Sequence, residues 1–309
     1  MTLTMTQALH PSLKRTLKEC QDWWARAVLK DRLNEAIQQL REDLELPSPI
    51  SRVIRGSTLD LGHTYSIRAC IDLSIKIDPA LDDGQPGSLT ESLRWAVAFR
   101  SLSFRFEASV PAKLATNLPV SLWTSMQAAG PAMLSQWEEA RSCAHWLIDV
   151  AHRDQAVKAD IVRKDGWGKG TNDAFLIFLF AQAFDLPTHY RPVNPLIPAY
   201  QNLLDCWRTD DKETFQQAMQ AAAEFHITRS KDGTEKNKYE FEKDIDRVFP
   251  AELLAVQALR RRDGLAEFET GHALIDTPWA VIRDLPKADP HPLAVATEAR
   301  LRQDYPAFF

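Results

Sequence analysis

Apolar residues recur every three or four positions along most of the chain, the period of an amphipathic helix. They run through Leu13, Leu17, Cys20, Trp24 and Val28, then Leu33, Ala36, Ile37, Leu40 and Leu44. The pattern predicts one or two long helices with a joint near Asp31, ended by Pro47 and Pro49. The stretch 63–77 (HTYSIRACIDLSIKI) fits a strand or a helix, and the spacing of Ile67, Cys70, Ile71, Ser74 and Ile75 favours the helix. A turn-forming run at 82–87 (DDGQPG) precedes Ser88 and Glu91, which have capping-box spacing. A helix of about five turns through Trp95, Phe99, Leu102 and Phe106 should follow. Gly130-Pro131 is expected to open the next helix, because proline fits a first helical turn. That helix carries Leu134, Trp137, Ala140, Ala144, Leu147 and Ile148 on one face.

The second half repeats the style. Thr171 or Asn172 is placed to cap an apolar helix around 175–184. Asp210 to Glu213 reads as another capped start, with Phe215, Met219, Ala222 and His226 on one face. Pro250 opens a helix through Leu253, Leu254, Val256 and Leu259 that should stop at Gly264. A last helix runs from about Pro292 towards Tyr305. The predicted fold is therefore all-α, an irregular stack of antiparallel helical hairpins with ten to twelve helices and few or no strands. No tetratricopeptide or ankyrin signature recurs. The chain reads as a single all-helical domain over 1–309. Its one glycine cluster, 165–171 (DGWGKGT), marks an alternative division into lobes 1–165 and 166–309.

Composition narrows the picture. With 45% hydrophobic and 26% charged residues, the 309-residue chain has an ordinary globular balance. Its 11 glycines are about half the usual ~7%, which disfavours barrels, hairpin-rich sandwiches and phosphate-binding loops. A net charge of −5 argues against a dedicated nucleic-acid binder, which presents a basic face. No secretory signal opens the sequence, and the most apolar run, 174–183 (AFLIFLFAQA), is short of the ~20 residues that span a bilayer. Cys20, Cys70, Cys143 and Cys206 are scattered without a Cys-x-x-Cys pair. A cytoplasmic protein with reduced cysteines is the expectation. The segment 229–247 balances six cations against six carboxylates, as a solvated loop and helix face would.

Catalytic motifs are weak. Gly166-Trp-Gly-Lys-Gly-Thr171 lacks the first glycine of a Walker loop, Arg163 standing in its place. His145 and His152 are seven residues apart on one predicted helix, about two turns, too far to share an ion unaided. The acidic pairs Asp82-Asp83, Glu138-Glu139 and Asp210-Asp211 are adjacent residues, and neighbours on a helix diverge by about 100°. No catalytic residue, metal or cofactor is expected. The nine tryptophans are unusual. Trp23, Trp95, Trp137, Trp146 and Trp207 have core-compatible spacing, whereas Trp167 and Trp279 are the expected exposed anchors.

Residues 248–265 (VFPAELLAVQALRRRDGL), followed by 272–278 (HALIDTP), resemble the C-terminal portion of the immunity protein 49 family. The shared pattern is a proline-opened apolar helix, an Arg-rich end, a Gly-Leu stop and an acidic leucine-bearing loop ending in proline. Residues 200–215 (YQNLLDCWRTDDKETF), continuing to His226, also look like that family. The similarity covers roughly 60–285 and is strongest after 198. It implies an all-helical immunity protein of bacterial polymorphic toxin and type VI secretion systems, one that binds a cognate toxin effector and blocks its active site or substrate groove. The toxins accompanying that family are often nucleases, whose basic groove would attract an acidic partner. The expected interface is Asp82, Asp83, Glu138, Glu139, Asp210 and Asp211, with Trp167 and Trp279 as anchors. Two alternatives stay open. A helical enzyme would show a cavity holding buried ionisable groups with perturbed pKa values. A helical-repeat scaffold or sensor would show a regular superhelix with a concave groove.

Overall fold

The computed structural model describes residues 8–49, 53–82, 84, 87–109, 122–156 and 169–309. Among them are thirteen α-helices and no strand. The first six are α1 (Lys14–Leu29), α2 (Arg32–Leu44), α3 (Val53–Ile77), α4 (Leu89–Ser109), α5 (Leu122–Met133) and α6 (Trp137–Gln155). Then come α7 (Asn172–Phe184), α8 (Pro198–Cys206), α9 (Lys212–Arg229) and the five-residue α10 (Asp244–Val248). The last three are α11 (Ala251–Arg262), α12 (Ala273–Ile282) and α13 (Pro292–Asp304). Short 3-10 turns occupy Pro11–Leu13 and Pro79–Leu81. The predicted joint at Asp31 is real, and its backbone is left-handed with φ 52°.

Helices α3 and α4 make the most extensive contact in the molecule. Arg55 meets Glu107, Gly62 meets Arg100, Tyr65 stacks on Phe99 and Asp72 accepts from Ser92. The numbers rise on one helix as they fall on the other, so the pair is antiparallel. Every residue from Thr64 to Ser74 is buried. A helix covered on all sides has no polar stripe, which is why 63–77 reads ambiguously in sequence. Several of its polar side chains bond within the protein. Arg68 holds Asp72 at 2.6 Å, and Ser66 and Ser74 bond back to carbonyls of their own helix.

Around this pair, α1, α2 and α10 pack on α3, while α5, α6 and α13 pack on α4. Helix α11 lies against α5 and is buried from Ala251 to Arg260. One continuous apolar cluster joins residues of all these helices. Burying each Leu or Phe in it contributes about 1.5–3 kcal/mol.

Three local expectations are corrected. Gly130-Pro131 does not open a helix but lies in the last turns of α5. A Cβ at residue 130 would sit 3.2 Å from a Val97 methyl, so the glycine lets α5 close on α4. That packing outweighs the hydrogen bond Pro131 omits. The chain turns instead at Ser135, with φ 57°, and α6 begins at Trp137. The cap of α9 is Asp211, not Asp210. The segment 229–247 is not simply solvated. Glu240, Asp246 and Arg247 are buried, Arg229 pairs with Glu240, and Arg247 pairs with Asp232 at 2.6 Å.

Helix α7 starts where the sequence places it, and Gly170 just before it is conformationally required. Its φ is +75°, and a Cβ there would lie 2.0 Å from the Pro195 carbonyl oxygen. The Gly170 carbonyl accepts from Ile197 N–H at 2.9 Å, tying the entry of α7 to the entry of α8.

Candidate functional site

Glu138 and Glu139 lie in the first turn of α6 and are exposed. Carboxylates there complement the positive end of the helix dipole. Asp210 and Asp211 precede α9 and are exposed as well. Asp211 is occupied by its own helix, accepting from Glu213 N–H at 3.2 Å and from the Thr214 hydroxyl. The Thr214 hydroxyl first, then the Glu213 amide, hold its carboxyl below the usual range. Among the described residues, Glu138, Glu139 and Asp210 form no ion pair.

These residues share one end of the molecule, and arginines build it. The C-terminal carbonyls of α7 are taken by three guanidinium groups from three other elements. Arg208 donates to Gln182 O at 3.1 Å, Arg262 to Ala183 O at 2.7 Å and Arg141 to Phe184 O at 2.9 Å. Cations at a helix C-terminus satisfy orphan carbonyls and the dipole together. Arg262 also lies over the Trp137 ring, next to Glu138, and Trp207 Nε1 donates to the Gln182 side chain at 2.8 Å.

Arg260 joins α8, α9 and α11. It is fully buried, sandwiched between the rings of Phe215 and Phe268 at 4.4 and 5.0 Å. Its donors reach the carbonyls of Trp207, Thr209 and Ala266. Burial pushes its pKa down, and Asp210 is the leading charge opposing that shift. The Arg-rich helix end of the sequence resolves into three roles. Arg260 is a buried clamp, Arg262 caps α7, and Arg261 pairs with Asp284 at 2.8 Å on the surface.

The remaining expected residues do not join this end. Asp82 lines a separate cleft of about 570 Å³ with Arg68, Asp72, Lys76, Ser88 and Leu285. Asp83 and Trp167 lie outside the described residues. Trp279 is not an exposed anchor. Pro278 sits inside α12, the helix runs through it, and the Trp279 ring is buried at 6% exposure. Of the histidines, His145 packs on Phe309, and His152 stacks on His189 with ring centroids 3.9 Å apart. No group of three or more His, Cys, Asp or Glu among the described residues is arranged to hold a metal ion. A second cleft, of about 530 Å³, lies between α1, α2 and α3 and is lined by Trp23, Arg32, Glu35, Asp60 and His63.

Sequence reasoning missed a buried polar cluster. His226 on α9 meets Glu252 on α11 through Nδ1 at 2.6 Å, and Tyr200 on α8 donates to the same carboxylate oxygen at 3.2 Å. The His226 ring stacks on Phe241 at 3.8 Å. Nearby, Arg100 on α4 holds Asp246 on α10 at 2.5 Å. Burial, then the Glu252 charge, push the Tyr200 hydroxyl well above its ordinary value. Burial raises Asp246, with Arg100 opposing. The sequence signal was His226 on the apolar face of α9. His226, Glu252, Tyr200, Phe241 and Asp246 are buried and only Arg100 is partly exposed, so the cluster ties helices together.

No helix among the described residues is long and apolar enough to cross a membrane. Set against family models, curated proteins and solved structures, the chain matches none.

Proposed function

We propose that this chain is a protein-binding immunity factor that neutralises a bacterial toxin effector, and that Glu138, Glu139 and the exposed face of Asp210 contact that partner. A cytoplasmic setting belongs to the proposal. The observation that carries it is the state of Glu138 and Glu139, exposed and without an ion pair among the described residues. They stand on an end fixed by Arg141, Arg208, Arg260 and Arg262. Carboxylates on a rigid frame meet a basic partner with little ordering cost. They also steer encounter with a cationic groove such as that of a nuclease. The resemblance over roughly 60–285, strongest after 198, supplies the class of partner, and the net charge of −5 agrees with it.

The test is association kinetics with the co-purifying partner at two ionic strengths. For Glu138→Lys/Glu139→Lys, the association rate at low salt should fall about tenfold and its salt dependence should flatten. Asp210 is better probed as Asp210→Asn, since a lysine there would face Arg260. If the folded double variant associates as fast as wild type, with the same salt dependence, this face is not the interface.

A further inference from the structure

Three histidines begin helical segments in the same way. His10 Nδ1 accepts Ser12 N–H at 3.3 Å at the turn Pro11–Leu13. His272 Nδ1 accepts Leu274 N–H at 3.2 Å at α12, and His291 Nδ1 accepts Leu293 N–H at 3.1 Å at α13. A nitrogen that accepts carries no proton, so each ring is neutral with its proton on Nε2. The opposite nitrogens agree. His272 Nε2 faces Glu224 Oε1 at 3.3 Å, and His291 Nε2 faces the Tyr65 hydroxyl at 3.0 Å. His10 Nδ1 also meets the Ser12 hydroxyl at 2.8 Å.

The three caps hold the outermost described segments onto the bundle. The rings of His10 and His272 stack at 5.2 Å, and the Ala8 carbonyl accepts from the Thr277 hydroxyl at 3.0 Å. His291 closes an aromatic cluster with Tyr65, Trp95 and Phe99, at centroid distances of 5.0–5.5 Å.

We propose that His10, His272 and His291 form an acid-sensitive latch, whose protonation frees the segment from Ala8 to Leu13 and the first turns of α12 and α13. A protonated Nδ1 no longer accepts. It also sets a positive charge against amide donors at the positive end of the helix dipole. His10 and His272 would then repel each other. The charged groups facing them are Glu224 on α9, which favours the charged form of His10 and lies 3.3 Å from His272 Nε2, and Asp276, whose carboxylate accepts the His272 backbone N–H at 3.2 Å. His291 faces Arg41 on α2, which opposes its protonation, and the Tyr65 hydroxyl on α3. Burial lowers the pKa of His10 and His291, with the His272 and Arg41 charges adding to it. A histidine lowered in the folded state contributes full stability above its unfolded value of 6.5 and loses it as pH falls through the folded value.

The test is site-resolved NMR of the full chain. At pH 7.5 the long-range ¹H–¹⁵N pattern of all three rings should show Nε2–H with bare Nδ1. His10 and His291 should titrate below 6.5. After correction for intrinsic exchange, the amides of Ser12, Leu274 and Leu293 should lose protection about tenfold as the rings titrate. In His10→Asn/His272→Asn/His291→Asn, which keeps an acceptor at each cap, that loss should vanish. An Nδ1–H tautomer at pH 7.5, or amide protection unchanged through the wild-type titration, would overturn the latch. The wild-type readout stands alone if the triple variant fails to fold.

Discussion

Arg260 shows how one residue can fix a corner of the molecule. It is a buried cation whose hydrogen bonds all go to carbonyl oxygens, three of them, among the described residues. Arg260→Met would keep much of the volume and orphan those carbonyls, each worth about 1–3 kcal/mol when unsatisfied. Solvent entry and relaxation recover part of that, so the expected loss is about 2–4 kcal/mol in denaturant unfolding. Arg260→Lys should recover little, because one ammonium cannot fork to three carbonyls. His226 makes a similar case. His226→Ala leaves Glu252 buried without its nearest partner, at a cost of about 3–5 kcal/mol. Glu252→Gln keeps an acceptor for both Tyr200 and His226 and should cost clearly less. Neither role is legible locally. The sequence shows three consecutive arginines and a histidine at core spacing, but the carbonyls at 207, 209 and 266 and the carboxylate at 252 come from elsewhere along the chain.

At the scale of elements, helix periodicity placed α1, α2, α4, α9, α11 and α13 well, because each has buried apolar residues at helical spacing. It was weakest at α3, where polar and apolar positions are buried alike, and at α5, where proline and glycine serve close packing and start nothing. The five-residue α10 is too short to show a period. Its hold on α4 is the Arg100–Asp246 pair, whose partners are 146 residues apart and invisible to any local pattern. Arg100→Met would strand Asp246, whose pKa burial already raises. A carboxyl raised in the folded state contributes stability below its unfolded pKa and loses it as pH rises through the folded one. The variant should therefore lose about 3–5 kcal/mol at pH 8 and visibly less at pH 5, read from melts at both values. Turn glycines differ in the same testable way. Gly170→Ala meets a carbonyl oxygen at 2.0 Å and should cost well over 2 kcal/mol. Gly264→Ala shares a positive φ, +69°, but meets nothing within 4 Å and should cost about 1 kcal/mol.

At the scale of the whole molecule, the all-helical class follows from scarce glycine and pervasive 3.6-residue periodicity. The candidate face was only partly legible. Charge pairs in the sequence mark where carboxylates lie, but not which are used internally. Asp211 proves to be a cap, Asp210 tempers the effect of burial on Arg260, Asp82 lies at another cleft, and Trp279 is in the core. That leaves Glu138 and Glu139 as the carboxylates freest for a partner. Removing them should barely touch stability, by less than about 1 kcal/mol each, since they contribute only surface and dipole terms. Binding should fall while the melting temperature stays nearly fixed. This separation distinguishes an interface from a structural role.

Neutralisation of a toxin, the proposed function, is tested by affinity capture of the tagged full chain from its native cells. Mass spectrometry identifies the captured partner, and co-expression of chain and partner measures toxicity. A stoichiometric partner carrying a toxin domain is expected, with growth arrest by that domain alone and rescue by the wild-type chain but weaker rescue by Glu138→Lys/Glu139→Lys. Recovery of the chain alone at low salt, or a partner whose expression harms nothing, would contradict it.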